Sequence, residues 1–405
     1  MLKRYLYIIL LSFWLIVSCS KEGDDSPYSG PKSQVTLFYF MGTDLSYYYG
    51  RNISAIESAV KAGALGDEGA LYILKPSSSG TASLYELSES GGVCESREVC
   101  EYSDFDSLST DGFATVISDM KAEAVSAAKG GEYKFNLVVG SHGMGWLLSD
   151  GTTLSKAYSF SEHHHPGVAN QHTPTRYLGV SKDGYMDIAD FVEAIEGGDT
   201  HFDYILFDAC LMSSIEALYR MRGCADYIVA SPCEILATGF PYDSLLQYLF
   251  TEDGAEYDLQ SVCEGFYNYY ETTEGRSGCV AMCVTSELEA LFESVKALEL
   301  KTLTTAERYA LQSYDGYSSH IFYDLGNYIE VAASDNEAGI EVFWAQFDLA
   351  FPAECRLTTD MFYTWNGGNK SVDFYSGVST SAPSLNSSCG GWSSEPWALA
   401  SDFEQ

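Results

Sequence analysis

Tyr204-Ile205-Leu206-Phe207-Asp208-Ala209-Cys210-Leu211-Met212-Ser213-Ser214-Ile215-Glu216 joins a continuous apolar run to a short turn and then to a helical pattern. The first four residues read as a strand buried on both faces, as in a parallel sheet. A helix is expected from Ser213 to Arg222, so Cys210 stands where strand gives way to helix. A helix N-terminus stabilises a thiolate through its free amides and its dipole. Period-two alternation places Asp208 on the same side as Cys210 if the strand persists that far. Taken alone, the segment equally suits an inert buried Cys with Asp208 as a helix N-cap.

The same grammar repeats along the chain. Val35–Met41, Ala70–Leu74, Ala82–Leu87 (hairpin-like), Phe135–Val139, Tyr227–Ala230 and residues 279–285 read as strands. Helical spacing is expected over Ile53–Ala62, Asp104–Ala128 and Asp187–Glu196, and near 243–250, 257–271, 287–311, 322–332 and 337–348. Residues 147–183 read as an irregular excursion, and the last sixty as Ser/Gly/Asn-rich with short strands. Apolar strands alternating with helices predict an α/β fold, a mostly parallel sheet covered on both faces. In such sheets functional residues gather at the carboxyl ends of strands. A second such end is Leu137-Val138-Val139-Gly140-Ser141-His142-Gly143-Met144-Gly145-Trp146, where an imidazole enters a glycine-rich turn. Glycines let main-chain amides come close to whatever the imidazole acts on. A loop His of this kind is as often structural.

Together the two strand ends hold a nucleophile, a base and main-chain amides at Gly143 and Cys210, the parts that thiol-mediated peptide hydrolysis needs. The His-Gly-x-Gly-Trp segment and the longer Asp208–Tyr219 segment resemble the clostripain family of cysteine peptidases. Ala225–Ser231, Gly239-Phe240-Pro241-Tyr242 and Tyr323-Asp324-Leu325-Gly326-Asn327-Tyr328 extend the likeness over roughly residues 35–400. The resemblance implies a caspase-like three-layer αβα sandwich with C-terminal additions and a Cys–His dyad with no third member. It makes Cys210 the nucleophile, His142 the acid–base group and Gly143 an oxyanion donor with the Cys210 amide. It also implies cleavage after Arg or Lys. Asp208 matches one acid of the family's specificity pocket. Thr238 stands where a second acid is common, with Glu234 nearby. Many relatives cut themselves between His and Cys, where this chain offers Lys156, Arg176 and Lys182. Some depend on calcium, but no EF-hand-like run occurs here. No cofactor or metal is therefore assigned.

The net charge of −35 excludes a nucleic-acid partner, because there is no basic stripe to displace counterions from phosphates. Protein or peptide substrates are the expected partners, and the oligomeric state is left open. Lys3-Arg4 precede an apolar run from Tyr5 to Val17, too short for a comfortable membrane span. It ends in Ile16-Val17-Ser18-Cys19, which resembles a bacterial lipoprotein signal. Residues 1–18 are then a signal peptide, 19–33 an acidic linker after a lipidated Cys19, and 34–405 a peptidase domain with a C-terminal extension. That places the protein on the cell envelope as an outer-membrane, surface-exposed lipoprotein, touching membrane only through its lipid. A plain signal peptide with an incidental Cys is the alternative. Of the eleven cysteines, nine remain once Cys19 and Cys210 are set aside, so they cannot all pair. Cys94–Cys100 is one candidate bridge, and buried free thiols are expected for most of the rest. The run His163-His164-His165 reads as a solvated loop rather than a metal site. The rival functions on this fold are a surface-tethered peptide- or glycan-binding protein, and an amidase or transpeptidase using the same thiol.

Overall fold

Five apolar segments lie side by side as parallel strands in the computed structural model, which describes residues 33–42, 45–76, 80–127, 133–146, 186–251, 255–272, 277–317, 320–364 and 367–382. They are β1 (Gln34–Phe40), β2 (Gly69–Pro76), β5 (Lys134–Gly140), β6 (Phe202–Asp208) and β7 (Ala225–Ala230). Antiparallel β3 (Ala82–Ser90) and β4 (Val93–Tyr102) extend one edge, and antiparallel β8 (Ala281–Val284) extends the other. The sheet order is β4-β3-β2-β1-β5-β6-β7-β8. The chain builds outward one way from β1 and the other way from β5, so the carboxyl ends of β1 and β5 flank the switch point where open α/β sheets bind ligands.

Helices cover both faces. Ile56 of α1 (Ser46–Lys61), Leu245 of α5 (Tyr242–Leu245) and Phe266 of α6 (Leu259–Thr272) share an apolar cluster with Tyr204, Leu206 and Cys210. The opposite cluster holds Ile205, Phe207 and Ala209. There they meet Phe113 of α2 (Thr110–Ala127), Phe191 of α3 (Ile188–Gly197), Leu218 of α4 (Ile215–Arg220) and Leu291 of α7 (Leu288–Lys296). The result is the three-layer αβα sandwich, and the period-two alternation of β6 runs on through Cys210.

Three expectations need correction. The stretch 287–311 is two helices, α7 and α8 (Thr305–Ala310), and the second starts on a Thr304/Glu307 capping box. Cys94 and Cys100 both lie on β4, a charged edge strand with no apolar face to betray it in the sequence. At about 3.3 Å per residue they stand about 20 Å apart, too far for a bridge. The helix expected from Ser213 begins only at Ile215. The Ser213 amide donates to Ser231 O and its carbonyl accepts from Ser379 N–H, so that backbone is committed to neighbouring segments.

Those bonds belong to a C-terminal strap. β12 (Ser379–Thr380) pairs with β9 (Tyr323–Asp324), which leads into α9 (Leu325–Ala332) and α10 (Glu337–Ala350); β10 (Met361–Thr364) and β11 (Gly368–Ser371) form a separate hairpin. Ser213 Oγ donates to Gly377 O at 2.7 Å. Glu216 Oε1 accepts Ser381 N–H at 2.7 Å and Thr380 Oγ1–H at 3.0 Å. Burial pushes the Glu216 carboxyl pKa up despite those donors. Its neutral form therefore supports the fold below the unfolded carboxylate pKa of about 4.3, and that support fades as pH rises through the higher folded value. Glu216→Gln is locked neutral. Its stability relative to wild type should rise between about pH 4 and pH 8, read from paired urea midpoints. A difference that stays flat with pH would remove the buried-carboxylate explanation.

Candidate active site

Parallel register between β5 and β6 pairs Gly140 with Asp208, and Ser141 N–H donates to Asp208 O at 3.3 Å. The same register carried two residues past both strand ends sets His142 beside Cys210. The approach there is close. A Cβ on Gly143 would fall 2.0 Å from Cys210 O and 2.9 Å from Cys210 N, so only glycine fits. Gly145 has φ +57°, and its Cβ would fall 2.7 Å from Leu211 O. These two glycines let the His loop lie directly on the Cys turn. They also bring the backbone of Gly143 and Cys210 into one small region.

The Cys turn is itself strained. Leu211 adopts φ +60°, a left-handed conformation that costs an L-residue about 1–2 kcal/mol. The segment after β7 holds it there, with Leu211 N–H on Cys233 O at 3.0 Å and Ser213 N–H on Ser231 O at 2.9 Å. That segment also supplies Ile235 N–H, which donates to Cys210 Sγ at 3.2 Å. A main-chain donor on sulfur favours the thiolate. It takes over the task expected of a helix N-terminus, which lies too far along the chain. Both reactive side chains are covered, His142 being 5% exposed and Cys210 0%.

Asp208 is buried on the Cys210 face, and Tyr242 Oη–H donates to its Oδ2 at 2.9 Å. Thr238 is half-buried and points at α6. Tyr270 gives its hydroxyl proton to Gly239 O, so Thr238 Oγ1 donates to Tyr270 Oη at 3.0 Å. The Thr238 carbonyl accepts from Asn52 Nδ2 on α1. Glu234 is buried in the same segment, its carbonyl accepting from Ser277 Oγ. On the other side, Trp146 packs on Phe322 with ring centroids 5.7 Å apart. Asp315 accepts the N–H groups of Tyr317, Ile321 and Phe322 and so shapes the loop that presents that ring.

The Ile235 amide, the Tyr242 contact with Asp208 and the Asp315–Phe322 loop escaped sequence reasoning. A main-chain donor has no side-chain signature, and these partners come from distant segments. Asp315-Gly316 was a legible turn signal, without any hint of what it supports. Cys19, Lys156, Arg176, Lys182 and the His163–His165 run lie outside the described residues. Among the described residues, no three His, Cys, Asp or Glu side chains gather as a metal site. An imidazole, a thiol and convergent amides are the parts of acyl transfer to sulfur.

A model of the clostripain family matches residues 40–394. A secreted C11 cysteine protease from Bacteroides thetaiotaomicron, iotapain, is 26% identical; the match covers 92% of this chain and 99% of that one, with a TM-score of 0.77. An inactive zymogen C11 protease from Parabacteroides distasonis is also 26% identical, covering 87% and 91%, with a TM-score of 0.69. A secreted C11 cysteine protease from B. thetaiotaomicron, solved with an irreversible peptide inhibitor, shares the fold at 22% identity, with 92% and 100% covered and a TM-score of 0.72. No curated protein matches the chain.

Proposed function

The chain belongs to the clostripain family and is a caspase-like cysteine endopeptidase, and from that premise we propose that Cys210 is its nucleophile and His142 its acid–base group. The observation that carries the assignment is the contact of Gly143 with the Cys210 backbone, which seats the His loop on the Cys turn. His142 takes the thiol proton as Sγ attacks the scissile carbonyl carbon. The Gly143 and Cys210 amides receive the developing oxyanion. The imidazolium then protonates the leaving amine as the acyl-enzyme forms. Water, deprotonated by His142, releases the acid product and restores the thiol.

Asp208 lies on the Cys210 face and is the group proposed to receive a P1 Arg or Lys, held in place by Tyr242. Thr238 supplies a hydroxyl where relatives place a second acid, so the preference rests on one carboxylate. On fluorogenic peptides differing only at P1, Arg and Lys should exceed Leu by about 10–100-fold in kcat/KM, and Asp208→Asn should erase most of that gap. Faster turnover of Leu than of Arg by the wild type would remove the basic pocket while leaving the thiol chemistry standing.

Because Cys210 is fully covered, substrate entry requires a segment to move. Cleavage after Lys156, Arg176 or Lys182 is the proposed release. The chain is further proposed to be exported and lipidated at Cys19 at the cell envelope; two of the similar proteases are described as secreted. Cys19→Ala should then leave the membrane fraction, and its retention there would oppose the lipid anchor.

A further inference from the structure

Nine cysteines fall within the described residues, all of them free thiols. Four are in direct contact as two pairs. Cys233, in the segment after β7, hydrogen-bonds through its thiol with Cys279, in the run that leads into β8. Ser277 Oγ ties the same two segments together by donating to Glu234 O at 3.4 Å. Cys263 lies on the buried face of α6 and hydrogen-bonds with Cys355, in the single turn Ala353–Cys355 packed against that helix. All four sulfurs sit in the apolar cluster that also holds Cys210. Cys94 and Cys100 are separated along β4. Cys224 and Cys283 lie in the opposite cluster, with Cys283 registered on Ile228, well along β7 from Cys224.

We propose that Cys233–Cys279 and Cys263–Cys355 become disulfide bonds as the chain folds in the presence of a disulfide oxidant, and that the first pins the segment covering Cys210. Thiols already in contact need to close by only about 2 Å to reach bonding distance. In each pair, one thiolate attacks a sulfur of the external disulfide and expels one thiol. Its partner then attacks the mixed disulfide and expels the second. The two protein thiols are oxidised, the external disulfide is reduced to two thiols, and the protons pass to solvent. In the second pair, the hydrogen bond from Cys263 lowers the Cys355 thiol pKa, which makes Cys355 the first attacker. All four sulfurs are buried in the finished fold, so exchange precedes closure of the segment.

The pairing also bears on the nucleophile. Cys233 O holds the Leu211 amide, and Ile235 N–H touches Cys210 Sγ, so fixing Cys233 fixes both ends of the Cys turn. Engaging Cys233 with Cys279 keeps it from capturing Cys210, which an exported thiol enzyme must avoid.

The full chain, refolded in mixed oxidised and reduced glutathione, is to be denatured, alkylated without reduction and peptide-mapped by mass spectrometry. The expected map links Cys233 to Cys279 and Cys263 to Cys355, each link split by reductant, with Cys210 alkylated. Cys233→Ser should free Cys279 for alkylation and leave Cys263–Cys355 linked. Reduction should speed amide exchange over residues 231–240 by about tenfold. Alkylation of all four before reduction, or a link from any of them to a different cysteine, overturns the pairing. Unchanged exchange overturns the pinning role.

Discussion

Cys210→Ala abolishes peptide-bond turnover, and His142→Ala lowers kcat/KM by about 10⁴-fold or more. Both effects are expected from the division of labour at the two strand ends. Without sulfur no acyl-enzyme forms, and the amides of Gly143 and Cys210 have no tetrahedral intermediate to receive. Without the imidazole, the Ile235 N–H still favours the thiolate, but nothing protonates the leaving amine. The double variant should be no slower than Cys210→Ala, because the two groups act as one unit. Cys210→Ala should also stay uncut between His142 and Cys210 where the wild type is nicked, which intact mass reads directly. Cleavage of the variant in isolation would assign that cut to another group. Urea midpoints of both variants should lie close to wild type, since neither side chain is large enough for its loss to open the core.

Gly143→Ala is the second large effect, and it follows from one distance. The added methyl would sit 2.0 Å from Cys210 O, and a main-chain atom at a strand end cannot swing aside as a flexible side chain does. The His loop and the Cys turn must separate, carrying His142 off Cys210. A displacement of about 1 Å at reacting groups lowers rate by about 100-fold. The overpacking itself costs about 1–3 kcal/mol. A kcat/KM loss of about 10²–10³ with a modest fall in urea midpoint is therefore expected. Gly223→Ala is the control, because a Cβ there meets nothing within 4 Å and its activity should not change. Equal activity for Gly143→Ala and wild type would mean that the close approach is not part of the working geometry.

The sheet was legible because its central strands are apolar on both faces, as Tyr204–Phe207 and Leu137–Val139 show. The strand ends carrying His142 and Cys210 followed from the same runs. What could not be read was set by contacts between distant segments. β4 is charged and takes its place from pairing with β3. Helix α4 starts late because Ser213 bonds Ser231 and Ser379, one of them in a strap far along the chain. The thiol is supported by a main-chain N–H at Ile235, which any residue type could provide. The clustering of Cys233 with Cys279 and of Cys263 with Cys355 is likewise a product of packing. Counting cysteines showed only that not all could pair, and the adjacent pair it suggested, Cys94 and Cys100, is held apart by its own strand.

The pairing of Cys210 with His142 is tested most directly by trapping the thiol in the act. The active chain is incubated with an irreversible peptidyl ketone bearing Lys at P1, then digested and mapped by mass spectrometry. A single adduct on Cys210, formed far more slowly in His142→Ala and competed by a Lys-P1 substrate, is the expected result. An adduct on another cysteine with Cys210 unmodified would contradict the assignment.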